Sequence, residues 1–282
     1  MRNIVLAIVL IQILVACQSG EMIEPDFYQC QFTFPDSSST RPKNEKYQHL
    51  LDSLVDEGVV GMALSIYNPA DGMWVGASGS ADLFNQIPLS PCNISRVGST
   101  VKMITATAVL QLAEEGKLHL DDPISSYLDG DVISRIENAN RVTIRQLLQH
   151  SGGVYNYIQN LKFQTASLND LIREWQPYDL LAYAFGQNAY FQPGEDVRYS
   201  NTGYVMLGML IEKIEGKPFY EVFNKKIFQP LGMSMTQFAA TDPVPDGIVR
   251  GYIDLYSHLQ VIESTYFSVW DYYTADGGVM CY

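Results

Sequence analysis

The segment Arg96-Val97-Gly98-Ser99-Thr100-Val101-Lys102 sets a serine three residues ahead of a lysine. If a helix begins here, positions i and i+3 share a face and the Lys102 ammonium can reach the Ser99 hydroxyl. A serine hydroxyl is a weak nucleophile at neutral pH unless a base or a neighbouring positive charge favours loss of its proton. The helix N-terminus adds a partial positive charge beside it. A second candidate is Tyr199-Ser200-Asn201, just ahead of an apolar stretch. Beside an ammonium the phenolate of a tyrosine is favoured and can act as a general base. Each of these two patterns occurs once in the chain. Both also have a plainer reading, with Ser99 and Asn201 as helix caps and Lys102 as a solvated surface residue.

The elements that would carry these residues follow from periodicity. Val101, Ile104, Ala108 and Leu112 share one face and predict a helix from about Thr100 to Glu115, stopped by Gly116. A second helix is predicted over Tyr204 to Glu215 through Val205, Leu207, Met209, Leu210, Ile211 and Ile214. Upstream, Tyr47, Leu50, Leu51, Leu54 and Val55 predict an amphipathic helix over Lys46 to Glu57. Gly61 to Tyr67 and Met73 to Ser78, joined by Asn68-Pro69-Ala70-Asp71-Gly72, read as an antiparallel hairpin. Short helices are predicted over Ile144 to His150 and Phe219 to Ile227, and Leu168 to Phe185 has helical periodicity interrupted near Pro177. A mostly helical subdomain, residues about 118–245, is therefore inserted after the start of a sheet, and from Val249 the sequence turns irregular and aromatic.

The chain has 282 residues, which suits one large or two closely packed domains. Its 18 basic and 31 acidic residues give a formal charge of −13, a field that repels a phosphate backbone and argues against nucleic acid as a partner. After Met1-Arg2-Asn3, the apolar run Ile4 to Ala16 is too short for a stable spanning helix and reads as a signal peptide, residues 1–16. Its end, Leu14-Val15-Ala16-Cys17, resembles the bacterial lipobox, which implies lipidation of Cys17, membrane attachment through acyl chains and export to the cell envelope. Residues 17–43, polar and broken by Pro25, Pro35 and Pro42, read as a tether, with the folded domain starting near Asn44. With Cys17 lipidated, Cys30, Cys92 and Cys281 remain, an odd set that argues against a disulfide framework. Neither these nor His49, His119, His150 and His258 show metal-site spacing, so no metal and no cofactor are expected.

Taken in order, the landmarks resemble the serine β-lactamase and penicillin-binding-protein superfamily, in particular its branch of class C β-lactamases, D-alanyl-D-alanine carboxypeptidases and related esterases. They comprise Phe84 to Leu89, Ser99 to Lys102, Gly116 to Ile124, Thr143 to Gly153, Tyr199 to Asn201, Pro230-Leu231-Gly232-Met233 and Ala275-Asp276-Gly277-Gly278-Val279. The resemblance implies an α/β (α+β) fold, an antiparallel sheet flanked by helices plus a helical subdomain, in residues 44–282. It implies Ser99 as the acyl-accepting nucleophile, Lys102 as the partner taking or sharing its proton, Tyr199 as base and acid, and Asn201 as a hydrogen-bond donor to a substrate amide. The Ser99 backbone N–H would supply one oxyanion donor. His150, Asp121 and Asp122 read as structural residues. The family's third motif, Lys or His, a small hydroxylated residue and glycine, is missing after Tyr199, so the last strands and the C-terminal helix are expected to be absent from this chain. Two readings result: a serine hydrolase forming an acyl-enzyme with β-lactam, D-Ala-D-Ala-type peptide or ester substrates, or a truncated relative that only binds such ligands.

Overall fold

The computed structural model describes residues 38–238, 247–254, 261–265 and 274–281. The expected signal peptide, Cys17 and tether residues 17–37 lie outside them. The chain divides into two compact units, residues 1–92 and 93–282.

In the first unit, helix α1 (Asn44–Asp56) is followed by strands β1 (Gly61–Asn68), β2 (Gly72–Asp82) and β3 (Ile87–Pro88), ordered β1-β2-β3. The β1–β2 hairpin pairs antiparallel from Gly61↔Gly79 to Asn68↔Gly72. Its turn is closed by the Asn68 side chain accepting from the Ala70 N–H, and Gly72 takes φ 79°, a conformation that favours glycine. α1 is tied to β2 by bonds from Gln48 Nε2 to the Ala77 carbonyl (3.0 Å) and from Ser78 Oγ to Asp52 (2.7 Å), with Leu51 fully buried. Contacts already begin at Ser38, whose hydroxyl accepts from the Val75 N–H, and Lys43 pairs with Asp71 at 2.8 Å. One expectation fails here. Cys92 is disulfide-bonded, to a cysteine whose side chain lies outside the described residues. Parity arguments assume every thiol is known to be free or paired, and with one cysteine removed on the lipobox reading a single bridge between distant positions leaves no spacing signal.

The second unit continues with β4 (Ser95–Arg96), a 3-10 turn at Gly98–Thr100, and α2 (Val101–Glu114). Next come α3 (Gly130–Arg135), α4 (Ile144–Leu148), α5 (Leu161–Asn169), α6 (Pro177–Leu181), α7 (Asn201–Glu215) and α8 (Phe219–Phe223), the last running into a π turn at Asn224–Phe228. The strands β5 (Gln237–Phe238), β6 (Tyr252–Ile253), β7 (Ile262–Glu263) and β8 (Val279–Cys281) complete it. β8 is central in the sheet β4-β8-β5 and antiparallel to both neighbours, while β6 and β7 pair with each other.

α2 stops as its glycine predicts. Gly116 takes φ 70°, its N–H bonds the Ala113 carbonyl, and Lys117 N–H bonds that of Leu112, the Schellman arrangement. Pro177 opens α6 rather than interrupting a helix, because its missing N–H falls where a helix start has no acceptor to meet. α4 ends at Leu148, two residues before the predicted stop, since His150 adopts φ 58°. The core gathers Val101, Ala108, Val109 and Leu112 of α2 around α7, which is buried without interruption from Asn201 to Gly208.

Gly208 lets a loop distant in sequence settle on α7. A Cβ at this position would lie 2.7 Å from the Cβ of Ala275, so the 274–278 loop can rest on the helix only because position 208 has no side chain. Gly208→Val should therefore destabilise the protein by about 1–3 kcal/mol through overpacking, in spite of the better helix propensity of valine, read as a lowered urea midpoint at unchanged m-value.

Candidate active site

Gly98, at φ 50°, starts the turn that leads into α2 and leaves Ser99 exposed at the helix entrance. One helical turn on, Lys102 is buried, with 6% of its surface exposed. Its Nζ donates to Ser99 Oγ at 3.1 Å and to the Asp276 backbone carbonyl at 2.6 Å. Thr105, on the same face, donates to the Ala275 carbonyl at 2.6 Å. Two side chains of α2 thus hold consecutive carbonyls of the 274–278 loop, orienting the ammonium towards the serine.

Tyr199 arrives from the other side, at the end of an irregular stretch leading into α7. Its hydroxyl donates to Ser99 Oγ at 2.8 Å, and Lys102 Nζ lies 5.0 Å from its ring centroid. Ser99, Lys102 and Tyr199 therefore meet at one oxygen. Asn201 is the first residue of α7 and is buried; its N–H donates to Asn156 Oδ1 at 3.1 Å. Among the described residues its side-chain amide has no hydrogen-bond partner. Next to it the Thr202 hydroxyl accepts from the Tyr157 N–H at 3.0 Å, so the 156–157 segment locks the start of α7 at two successive residues.

Asp276 is the site's buried carboxyl. Tyr157 donates to its Oδ2 at 3.1 Å. Burial pushes its pKa up, with the Lys102 charge and the hydrogen bonds pulling the other way. His150 stacks beside Tyr199 and Tyr204, its ring centroid 4.5 and 5.1 Å from theirs. Burial, assisted by the Lys102 charge, pushes its pKa down to about 4. Asp121 and Asp122 lie in structural contacts, Asp121 accepting from Arg145 and Asp122 from the Tyr127 hydroxyl. Among the described residues no group of His, Cys, Asp and Glu could hold a metal ion.

The chain has relatives. A family model described as Beta-lactamase matches residues 46–272. The chain belongs to the β-lactamase family. It is 27% identical over 193 residues to Protein flp of Staphylococcus aureus (strain COL), covering 68% of this chain but 37% of that protein. The D-stereospecific amidohydrolase from Streptomyces sp. superposes with a TM-score of 0.75 at 30% identity, covering 85% of this chain and 69% of that one. The penicillin-binding protein from Bacillus halodurans superposes with a TM-score of 0.68 at 28% identity, covering 83% and 68%. The chain thus spans little more than a third of the length of the curated relative Flp.

Three further residues around the Ser99 hydroxyl were not evident from sequence. Asn156 follows the recognised Thr143 to Gly153 segment by three residues, Thr105 reads as one more helical position, and Asp276 falls within the Ala275 to Val279 landmark with no role of its own. A tyrosine-asparagine pair at 155–156, polar and close to that landmark, was the available signal.

The His150 ring also sets a pH dependence. A histidine titrating near 4 in the folded chain and about 6.5 when unfolded binds more protons in the unfolded state between those values, so stability falls as pH drops through that window. Urea midpoints at pH 7 and pH 5 should show this loss, and His150→Asn should make the difference smaller.

Proposed function

We propose that this chain is a serine hydrolase that works through an acyl-enzyme on β-lactam, D-Ala-D-Ala-type peptide or ester substrates. The observation that carries this reading is the convergence on Ser99 Oγ of Lys102 Nζ at 3.1 Å and the Tyr199 hydroxyl at 2.8 Å. Nucleophile and base side chains within hydrogen-bond reach, with the base oriented by a third group, are the signature of an activated serine. In the resting arrangement Tyr199 donates to Ser99. For attack Tyr199 must first give its own proton to solvent, with the Lys102 ammonium beside it favouring the phenolate; the phenolate then takes the proton from Ser99 Oγ as Oγ bonds to the substrate carbonyl carbon.

The carbonyl π-electron pair moves to its oxygen, where the Ser99 backbone N–H, just ahead of α2, is suited to donate a hydrogen bond to the developing oxyanion. Collapse of that intermediate expels the amine or alcohol, which takes the proton back from Tyr199. Water then attacks the acyl-enzyme with the same phenol as base and acid, releasing the carboxylic acid and regenerating Ser99. The free Asn201 amide lies one residue beyond Ser200 and is suited to hold a substrate amide. Kinship with the Streptomyces D-stereospecific amidohydrolase supports substrates with a D-configured centre, and kinship with the Bacillus halodurans penicillin-binding protein supports β-lactam ligands.

Labelling with a fluorescent penicillin and with a fluorophosphonate checks the proposal. Ser99→Ala should abolish labelling, and Lys102→Met and Tyr199→Phe should slow it by about 10²–10⁴-fold. No Ser99-dependent adduct with either probe would leave a protein that only binds such ligands.

We also propose that the protein is exported and held at the bacterial cell envelope by acyl chains on Cys17, supported by the apolar run Ile4 to Ala16 and the Leu14-Val15-Ala16-Cys17 sequence. Among the described residues no helix is long and apolar enough to cross a membrane. On expression from its own leader, the protein should fractionate with membranes and Cys17→Ala should move it to the soluble fraction; an unchanged distribution would rule out this anchor.

A further inference from the structure

Tyr199 sits at the end of an irregular, largely exposed stretch, residues 195–199, and is itself 45% exposed. Nothing within such a segment fixes a phenol in place, yet its hydroxyl meets Ser99 at 2.8 Å. Arg198 also lies over the Tyr190 ring at 3.7 Å and the Ser200 hydroxyl donates to the Tyr155 carbonyl at 3.4 Å, but one residue bonds the backbone on both sides of Tyr199. The His150 carbonyl accepts from the Arg198 N–H at 2.9 Å, and His150 Nδ1 accepts from the Ser200 N–H at 3.2 Å. The residues on either side of Tyr199 are therefore bound by the same histidine, one through its backbone and one through its side chain.

Its ring also lies against the Tyr199 ring. Both acceptors can face the same strand because His150 takes φ 58°, a left-handed conformation uncommon for a non-glycine residue and costly enough to require compensation. The segment carrying it is anchored independently, by Ser151 N–H on the Gln146 carbonyl (2.8 Å) and by the Tyr204 hydroxyl on the Leu148 carbonyl (3.0 Å). Since Nδ1 accepts, the ring proton of the neutral form resides on Nε2.

We propose that His150 is a positioning residue that clamps the Tyr199 segment from both sides and so holds the phenol at the Ser99 hydroxyl. The role rests on the reading of Tyr199 as the proton-transfer group, and it extends that reading to a residue that touches neither substrate nor nucleophile.

Two variants isolate the side chain. His150→Gly accepts the left-handed backbone and keeps the carbonyl bond to Arg198 while losing Nδ1 and the ring. His150→Asn tolerates the same backbone and returns an acceptor on Cγ, where Nδ1 was. Saturation kinetics of fluorescent-penicillin labelling separate the limiting acylation rate from the half-saturation constant. The clamp predicts a limiting rate about 10–100-fold lower in His150→Gly, as expected for a misplaced catalytic group, with half-saturation unchanged within about 2-fold, and recovery of most of the rate in His150→Asn. A His150→Gly rate equal to the parent's, an effect confined to half-saturation, or a His150→Asn rate as low as that of glycine would overturn it.

A readout that does not depend on activity separates this inference from the function it rests on. With ring-¹³C tyrosine, the Tyr199 resonance, assigned by its loss in Tyr199→Phe, moves in both variants because the imidazole ring current is lost, so linewidth is the readout: it should broaden in His150→Gly and sharpen again in His150→Asn. If Tyr199→Phe labels like the parent while this broadening is present, the proton-transfer assignment fails and the clamp stands. A resonance as sharp in His150→Gly as in the parent sinks the clamp.

Discussion

A lysine ammonium taken out of water must have its N–H donors met by protein, or its burial costs several kcal/mol. Lys102 is in that position, and the arrangement of the second unit follows from meeting the requirement. One donor goes to the Asp276 carbonyl and one to Ser99 Oγ. The first demands that residues 274–278 come against α2; Thr105 and the bare backbone of Gly208 make that approach possible from two helices at once. Within that arrangement, the second bond is what gives the helix-start serine a chemical use. The same loop leads directly into β8, the central strand between β4 and β5, so the lysine's acceptor and the sheet are parts of one continuous stretch of chain.

The opposite wall obeys a different constraint. Tyr199 lies outside any regular element, but Asn201 and Thr202 belong to the most deeply buried helix of the unit. Asn156 and Tyr157 pin the first turn of that helix through one side-chain acceptor and one backbone donor, each to a neighbouring residue. Tyr157 additionally reaches Asp276 through its hydroxyl, so the two walls share a residue. A nucleophile mounted just ahead of α2 and a phenol mounted just ahead of α7 can therefore keep a common geometry although a hundred residues of chain separate them.

What was legible in the sequence was what short-range rules govern. The i, i+3 spacing of Ser99 and Lys102, the glycine stop after α2 and the Asn68 to Gly72 turn each depend on a few neighbouring residues, and each appears in the structure at the expected place. The early end of α4 was not legible, because a positive φ at His150 is stabilised by bonds to residues 198 and 200, far along the chain. Asp276 was hidden for a similar reason. An aspartate beside two glycines has the local signature of a turn, and only its burial against Lys102 and Tyr157 gives it another meaning. Pro177 was misleading because a proline is equally at home just inside a helix start and at a break, and the side of the residue on which the helix lies is decided by packing of Leu180 and Leu181. The Cys92 bridge joins positions with no local relation at all.

The unbroken burial of α7 from Asn201 to Gly208 has a thermodynamic consequence. Backbone sealed this thoroughly opens only when the surrounding core does, so the first two turns of α7 belong to the last part of the unit to exchange its amides. The Asn201–Thr202 part of the wall then has no partly melted state of its own to visit. Any molecule held by these residues stabilises the whole unit according to its concentration relative to its dissociation constant, and its binding is read as a rise in melting temperature.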